Sequence, residues 1–336
     1  MEAEDASRIV VHRIFLALTG GHIRGINNTG TLELSSEGAV ITEEHVIEVE
    51  DLASDTNIPK DNAYLHTLLR QYKLDGDAHR QSPAGFVGKK LGADFHLIHG
   101  THAKFQNSMR LVGENSLEVD DVVFSPIASA QVVLRKENKE EGAIVIDIGA
   151  GTTDYIMYIG GSIYASGCIP IGGDHITNDI HLVTKLPLSS AEQVKKEHGD
   201  VTGSIESLSG RISVESELGL DIPEVDRKTL NLVIASRLKE LFKLVLERIP
   251  EGTMDQIGSG VFLTGGVSKT TGIENIVGEV FPLEVFPPKE GNPEEMNYSQ
   301  DPQLATVLGL IYYAQLLDQE DDQKSGPLGF FSKLFG

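Results

Sequence analysis

The sequence has little cysteine, no tryptophan and a shortage of positive charge. Its one cysteine, Cys168, has no partner within the chain for a disulfide, so a reducing compartment is expected, and its apolar surroundings indicate a buried thiol. The chain has 28 lysines and arginines but 50 aspartates and glutamates, which gives a formal net charge of −22. Because a general nucleic-acid binder needs a basic face, no nucleic-acid partner is expected.

Long apolar runs are also lacking. No stretch reaches the roughly 20 apolar residues that a membrane-spanning helix needs, and the acidic start MEAEDASRI is unlike a signal peptide. We therefore expect a cytoplasmic protein. With 336 residues, of which 40% are hydrophobic, the chain is long enough for two or more sub-domains with sizeable cores.

The spacing of apolar and turn-forming residues predicts the main elements. A buried strand is expected over residues 8–18, and two strands flank the hairpin turn Gly160-Gly161. Residues 136–141 read as a charged turn, and residues 57–86 show no clear pattern. A helix capped by Thr42 is predicted at 42–52. Further helices are predicted at 103–114, 128–135, 174–183, 229–248 and 301–317.

The stretch AIVIDIGAGTTD ends an apolar strand in a glycine loop, as phosphate-binding loops do. Gly149 and Gly151 would let the backbone approach phosphate oxygens closely, while Thr152 and Thr153 would add hydroxyl donors. Asp147, at the strand end, would hold a magnesium ion through its waters. The alternative is an ordinary turn after a strand, with no ligand.

A second strand and glycine turn occurs at LTGGVSKTTG, where Gly265 and Gly266 would let a flat base lie against the backbone. A tight turn between a strand and a helix also needs glycine, so this signal is weak alone. It gains weight from the first loop, and the two units together indicate a duplicated α/β architecture.

Glu192 and Lys195 lie three residues apart in SSAEQVKKEHG, so they share one helix face and would reach a ribose. The competing interpretation is that Glu192 completes a capping box with Ser189 and that Lys195 is solvated.

The motifs VVFSPIASAQVVL, AIVIDIGAGTTD, GCIPIGGDHITNDI, SSAEQVKKEHG and VFLTGGVSKTTGIE, in this order, resemble the actin-like ATPase superfamily. Within it, the chain resembles the bacterial FtsA family. The stretch RIFLALTGGHIRGINNTGTLEL is similar to the start of sub-domain 1C, which FtsA carries in place of sub-domain 1B of actin. The resemblance implies an α/β, actin-like fold of the duplicated ribonuclease-H type.

The resemblance also implies a division of the chain into sub-domains. Residues 311–317 would be the last helix returning to sub-domain 1A, and 318–326 an acidic linker. The sub-domains would be 1C at 8–93, the remaining part of 1A at 94–167, 2A at 168–199 and 260–310, and 2B at 200–259.

For the nucleotide, the resemblance implies ATP with Mg²⁺. Asp147, Gly149, Gly151 and Thr152 match the second phosphate loop of the family, and Gly265 and Gly266 match its adenosine loop. In the same family, the helix that carries Arg237 and Glu240 passes near the base.

Two departures from the family pattern affect the expected activity. Family members begin with strands and a first phosphate loop of the type D-I-G-T-S-K, whereas this sequence starts after that point, so the N-terminal part of sub-domain 1A is expected to be missing and ATP-dependent self-association to be impaired. Ser125 stands where active relatives often have an acid or amide that orients the attacking water. Slow or negligible hydrolysis is therefore expected.

The final residues, PLGFFSKLFG at 327–336, form an amphipathic pattern that predicts a membrane-targeting tail. An alternative is that the tail docks on the protein body or in a groove of a partner. The residues expected to enter the lipid are Leu328, Phe330, Phe331, Leu334 and Phe335.

The resemblance implies a cell-division adaptor at the cytoplasmic face of the inner membrane, at the division site. It would self-associate into filaments, bind the FtsZ C-terminal tail through sub-domain 2B and recruit later division proteins. The alternatives are a pilus-assembly or competence relative of FtsA, and a truncated or degenerate pseudo-ATPase scaffold. A small-molecule kinase of the same superfamily would need a sugar or acid pocket and a strong general base, and neither signature is present.

Overall fold

The computed structural model of the protein describes residues 2–203, 209–214, 224–288 and 301–321. In chain order, the strands of these ranges are β1 (Arg13–Leu18), β2 (Arg24–Glu33), β3 (Ala39–Val40), β4 (Asn62–Leu74), β5 (Asp77–His79), β6 (Val87–Gly88), β7 (Lys90–Thr101), β8 (Glu118–Phe124), β9 (Ala143–Ile148), β10 (Thr153–Ile159), β11 (Ser162–Ile169), β12 (Arg211–Ile212), β13 (Val225–Asp226), β14 (Val261–Thr264) and β15 (Val285–Phe286).

The helices lie between these strands and after them. They are α1 (Glu2–Ser7), α2 (Glu43–Ser54), α3 (His102–Gly113), α4 (Ser125–Val133), α5 (Lys136–Glu141), α6 (Gly173–Thr184), α7 (Leu188–His198), α8 (Arg227–Leu246), α9 (Ile273–Gly278) and α10 (Ala305–Asp321). Within the described ranges, no helix is both long and apolar enough to cross a bilayer.

The main sheet has nine strands in the order β15-β14-β9-β10-β11-β2-β7-β4-β5. β14 runs parallel to β9, and β10 is antiparallel to both of its neighbours, β9 and β11. β9 is buried on both faces: Ile144 and Ile146 belong to a core shared with α6, α7, α8 and α9, while Val145 belongs to a second core with α4 and α10. This double burial explains why β9 is almost uniformly apolar.

A separate two-stranded sheet pairs β1 with β8 in parallel, and α4 and α10 pack beside it. The close crossing of these helices depends on Gly309, where an added Cβ would overlap the carbonyl oxygen of Ala128. The loops that follow β1 and β9 therefore end up near each other, because both strands contribute to the same core.

The strands β2, β4 and β7 form a module whose inner face is covered by α2. This module meets the edge of β11 through one backbone register pair, Gly167 with Arg24, and through polar side chains. The ring of His96 lies between Asn27 Oδ1 at 2.7 Å and Ser166 Oγ at 2.8 Å, and burial lowers its pKa to about 3. A neutral imidazole thus joins the module to the hairpin.

Several sequence predictions are confirmed. Thr42 caps α2, since its hydroxyl accepts a 3.3 Å hydrogen bond from the His45 N–H. The turn between β10 and β11 is Gly160-Gly161, both with positive φ. Cys168 is 2% exposed, and burial raises the pKa of its thiol to about 12.

Other predictions differ from the structure. The capping box of Ser189 and Glu192 is wrong, because α7 begins after Pro187 and no side chain caps it. The predicted charged turn at 136–141 is the helix α5, and the patternless segment 57–86 contains the 13-residue strand β4.

The predicted sub-domain boundaries stay predictions. Two of them fall inside continuous strands, since β7 crosses 93/94 and β11 crosses 167/168. The predicted sub-domain 2B is described only in part. Most of the predicted linker and the whole of the predicted membrane tail lie outside the described residues.

Candidate functional site

The loop that joins β9 to β10 offers backbone donors. The Gly149 N–H is used within the loop, where it donates to the Thr152 carbonyl at 2.9 Å. In the described part of the chain, the N–H groups of Ala150, Gly151 and Thr152 donate no hydrogen bond. An added Cβ at Gly151 would meet no atom within 4 Å, so the loop is open at its tip. Such a loop can cradle a phosphate.

Asp147 ends β9 beneath this loop. Its Oδ2 accepts hydrogen bonds from Ser129 at 2.7 Å and from Thr306 at 3.3 Å, which fix the carboxylate between α4 and α10. Burial raises the pKa of Asp147, against the opposing effect of the two hydroxyls. A cation nearby would favour the ionised form.

The start of α6 supports the loop from below. The N–H groups of Gly173 and Asp174 donate to the carbonyls of Gly149 and Ala150 at 2.9 and 2.8 Å. Only glycine fits at Gly172, since a Cβ there would lie 2.6 Å from both carbonyl oxygens. The loop carbonyls are thus turned towards α6, and the remaining N–H groups are left for a ligand.

Glu192 and Lys195 on α7 lie beside the start of α6. Lys195 Nζ is 2.5 Å from Glu192 Oε2 and donates to the Gly173 carbonyl at 3.0 Å and to Thr177 at 2.8 Å. Burial by itself would raise the pKa of Glu192, but hydrogen bonds from Lys195, Thr177 and Lys196 hold it at about 2. Lys195 is therefore paired within the protein, whereas the alternative interpretation expected it to be solvated.

The second glycine turn closes against the first. Gly265 has φ +83°, and a Cβ there would lie 2.5 Å from Asp147 Oδ1 and from the Ile148 carbonyl oxygen. Gly266 lies beside Gln303, whose Nε2 would be 3.1 Å from an added Cβ. Val267 approaches Gly173. The structure thus brings together the loops after β9 and β14, the start of α6, and Glu192 and Lys195 of α7.

Some predicted site residues make other contacts. Thr153 is completely buried and its hydroxyl donates to the Ile171 carbonyl at 2.8 Å, so the hydroxyl does not face the loop opening. Arg237 pairs with Asp179 at 2.6 Å and with Glu240 at 2.6 Å, and neither Arg237 nor Glu240 takes part in the contacts between the loops. Ser125 is buried and donates to the Leu18 carbonyl at 3.0 Å.

One acidic residue of the site was not predicted. Asp154, the last residue of the string DIGAGTTD, lies opposite Asp147 across β9 and β10. It accepts a 2.6 Å hydrogen bond from Thr19, whose hydroxyl is also 3.5 Å from that of Thr152. Burial raises the pKa of Asp154 to about 7. The repeated Asp of the string was the only signal for it.

Two family models and several known proteins are similar to this chain in sequence. A family model described as "Cell division protein FtsA" matches residues 144–309, and one described as "SHS2 domain inserted in FTSA" matches residues 20–99. The cell division protein FtsA of Borreliella burgdorferi is 35% identical over 317 residues, or 93% of this chain and 76% of that protein. That of Escherichia coli K12 is 31% identical over 326 residues, or 94% and 76%.

Solved structures agree on the fold. The PilM-PilN complex of type IV pilus biogenesis superposes with a TM-score of 0.61 at 16% identity, covering 92% of this chain and 81% of that one. MreB5 of Spiroplasma citri bound to ADP gives 0.54 at 20% identity, covering 67% and 68%. At these identities the likeness shows the fold alone, and it confirms the predicted α/β, actin-like architecture. The sequence relatives go further, and the chain belongs to the FtsA family of cell-division proteins.

Proposed function

We propose that this cell-division protein binds ATP with Mg²⁺ in the cleft between the loops after β9 and β14. The observation that carries the proposal is the packing of Gly265 against Asp147 and Ile148, which places a turn suited to a base beside a loop suited to phosphates. Two solved structures of the same fold support it, since MreB5 of Spiroplasma citri is described as bound to ADP in one and to AMPPNP in the other.

The residues present fit this ligand. The open tip at Gly151 and the unused N–H groups of Ala150 and Thr152 would hold phosphate oxygens. Asp147 would hold the magnesium ion through its waters, and the cation would offset the cost of burying that carboxylate. Gly266 and Gln303 would lie on the side of the base, and Lys195 and Glu192 near the ribose.

Hydrolysis is proposed to be slow. Ser125, at the position where an acid or amide would orient the water, is buried and donates to a backbone carbonyl. A hydroxyl engaged in this way is a poor general base. The bound nucleotide would therefore act chiefly as a switch for self-association.

We further propose the adaptor role of the family for this chain. It would self-associate, bind the FtsZ C-terminal tail through residues 200–259 and recruit later division proteins. Its amphipathic tail would hold it at the cytoplasmic face of the inner membrane at the division site. A single short tail binds lipid weakly, so several copies on one polymer would be needed for firm attachment. The fold-level likeness to PilM does not favour the pilus alternative over this role.

A vesicle sedimentation assay tests the adaptor role. The chain, purified FtsZ and vesicles of mixed zwitterionic and anionic lipid are combined with ATP and Mg²⁺, and FtsZ is measured in the pellet. The control is the same chain without residues 327–336. FtsZ is expected to pellet with the vesicles only when the intact chain is present. Equal amounts of FtsZ in the two pellets would contradict the membrane tether. Absence of FtsZ from both pellets, although the intact chain sediments with the vesicles, would contradict FtsZ as the partner.

A further inference from the structure

A second loop contacts the phosphate loop on the β10 side, whereas the base turn follows β14 on the other side of β9. This loop, Thr19 to Ile23, follows β1 and turns back through a 2.9 Å hydrogen bond from the Ile23 N–H to the Gly20 carbonyl. Thr19 touches the far end of the phosphate loop, with its hydroxyl 3.5 Å from that of Thr152. The base turn meets the near end at Ile148. A phosphate chain lying across the loop would therefore point its outer end towards Thr19.

Arg24 is fixed at the rim of this second loop. It begins β2, and its NH1 donates to the Gly21 carbonyl at 2.7 Å and to the Ile23 carbonyl at 2.9 Å. Gly21 in turn packs on Pro170, 3.0 Å from where its Cβ would be, and Pro170 leads into the start of α6 beneath the phosphate loop. Continuous contacts thus connect the guanidinium to the floor of the cleft.

The charge of Arg24 is not neutralised locally. Among the residues that the structure describes, no carboxylate forms an ion pair with it, and its Nε and NH2 make no hydrogen bond there. Burial lowers the pKa of the neighbouring His22 imidazole, and the charges of Lys104 and Arg24 lower it further.

We propose that Arg24 binds the outer phosphate of the nucleotide. The inference rests on the proposed ATP site and names the residue that distinguishes the triphosphate from the diphosphate. A guanidinium presents a planar pair of donors that matches two phosphate oxygens, and its charge stays on at every physiological pH. The two backbone carbonyls hold one nitrogen of the guanidinium in place, which leaves the Nε and NH2 edge for the ligand.

Competition binding tests this assignment. ATP, ADP and inorganic tripolyphosphate displace a fluorescent ATP analogue from the full chain and from Arg24→Gln, Arg24→Lys and the matched control Arg80→Gln. Arg80 is likewise exposed but lies after β5. Arg24→Gln is expected to bind ATP about tenfold less tightly and ADP less than twofold less tightly. Arg24→Lys should lose less, because it keeps the charge without the fork, and thermal unfolding should show that each variant is folded.

The outcomes separate this inference from the proposed function. If the parent chain binds ATP and Arg24→Gln keeps the same preference for ATP over ADP, the assignment of Arg24 is overturned and the ATP site stands. If calorimetry shows that the parent chain binds tripolyphosphate, with loss in Arg24→Gln, but binds no nucleotide, the anion site stands and the ATP site falls. If the parent chain binds neither ligand, both are overturned.

Discussion

The hydroxyl of Thr19 donates a 2.6 Å hydrogen bond to Asp154 Oδ1 and so joins the end of β1 to the β9–β10 hairpin. The two residues are 135 positions apart in the chain. Their contact brings a loop of the β1–β8 sheet against the candidate phosphate loop, at Thr152. The candidate site therefore depends on the packing of two separate sheets, as well as on its own glycine motif.

Asp154 should make stability depend on pH. Burial raises its pKa to about 7 from 3.8, so between these values the folded protein keeps a proton that the unfolded chain has lost. The neutral carboxyl contributes its full stabilisation below pH 3.8. This stabilisation is lost as the pH rises from 3.8 to about 7. Asp154→Asn should remove this loss, so its stability relative to the parent should rise by about 2 to 4 kcal/mol over that range.

Urea unfolding of both proteins at half-unit pH steps measures this difference. Asp255→Asn, at an exposed position, serves as the control for the loss of a carboxylate. If the difference in the free energy of unfolding between Asp154→Asn and the parent does not change with pH, the Asp154 carboxyl is ionised in the folded protein.

The two glycine loops should respond differently to an added methyl group. Gly265→Ala should destabilise the fold by more than about 2 kcal/mol, because φ is +83° and the Cβ would press on Asp147 and Ile148. Gly151→Ala meets no atom within 4 Å and should leave the free energy of unfolding unchanged within about 0.5 kcal/mol. The same methyl group should weaken ATP binding severalfold, as judged by fluorescence titration. Normal ATP binding by a folded Gly151→Ala would remove this loop from the site.

The half-buried lysine of α7, Lys195, should matter more for stability than its exposed neighbour Lys196. Lys195 is 12% exposed and bonds Glu192, Thr177 and the Gly173 carbonyl, whereas Lys196 is 68% exposed and bonds Glu192 alone. Lys195→Met should lower the free energy of unfolding by about 1 to 2 kcal/mol, and Lys196→Met by less than about 0.5 kcal/mol. Equal urea midpoints for the two variants would contradict the link between α7 and the start of α6.

The crossing of α4 and α10 should tolerate only glycine at position 309. Gly309→Ala would overlap the Ala128 carbonyl oxygen and should cost more than about 2 kcal/mol through helix displacement. Gly278→Ala, at the end of α9, meets nothing within 4 Å and should be neutral or stabilising by up to about 1 kcal/mol. Differential scanning calorimetry compares the two variants. A melting temperature for Gly309→Ala equal to that of the parent would show that the helices are not packed this closely.

Local physics explains which parts of the fold were predictable. Gly160-Gly161 and Thr42 act through their own turns and caps, and both were predicted from a few adjacent residues. The glycine loops after β9 and β14 were equally local, because a strand that ends in glycines has few other structures available.

Contacts between distant segments explain what was missed. Glu192 has the spacing of a capping residue relative to Ser189, but α7 already begins after Pro187, and the carboxylate instead contacts Thr177 on α6 and Lys195. Asp154 looks like an ordinary strand residue until Thr19 is placed beside it. The alternation of β4 is interrupted by two irregularities in its pairing with β7, between Tyr64 and His66 and between Leu69 and Gln71, so its sequence shows no regular period of two.

Titration of the folded chain with fluorescent ATP and Mg²⁺ tests the central claim most directly. The account predicts saturable, magnesium-dependent binding that weakens about tenfold in Asp147→Asn and is unchanged in the exposed control Asp255→Asn. Asparagine keeps an oxygen for the Ser129 and Thr306 hydroxyls, so the fold should survive. Absence of binding by the folded parent chain, or equal affinity in Asp147→Asn, would contradict a nucleotide site at these loops.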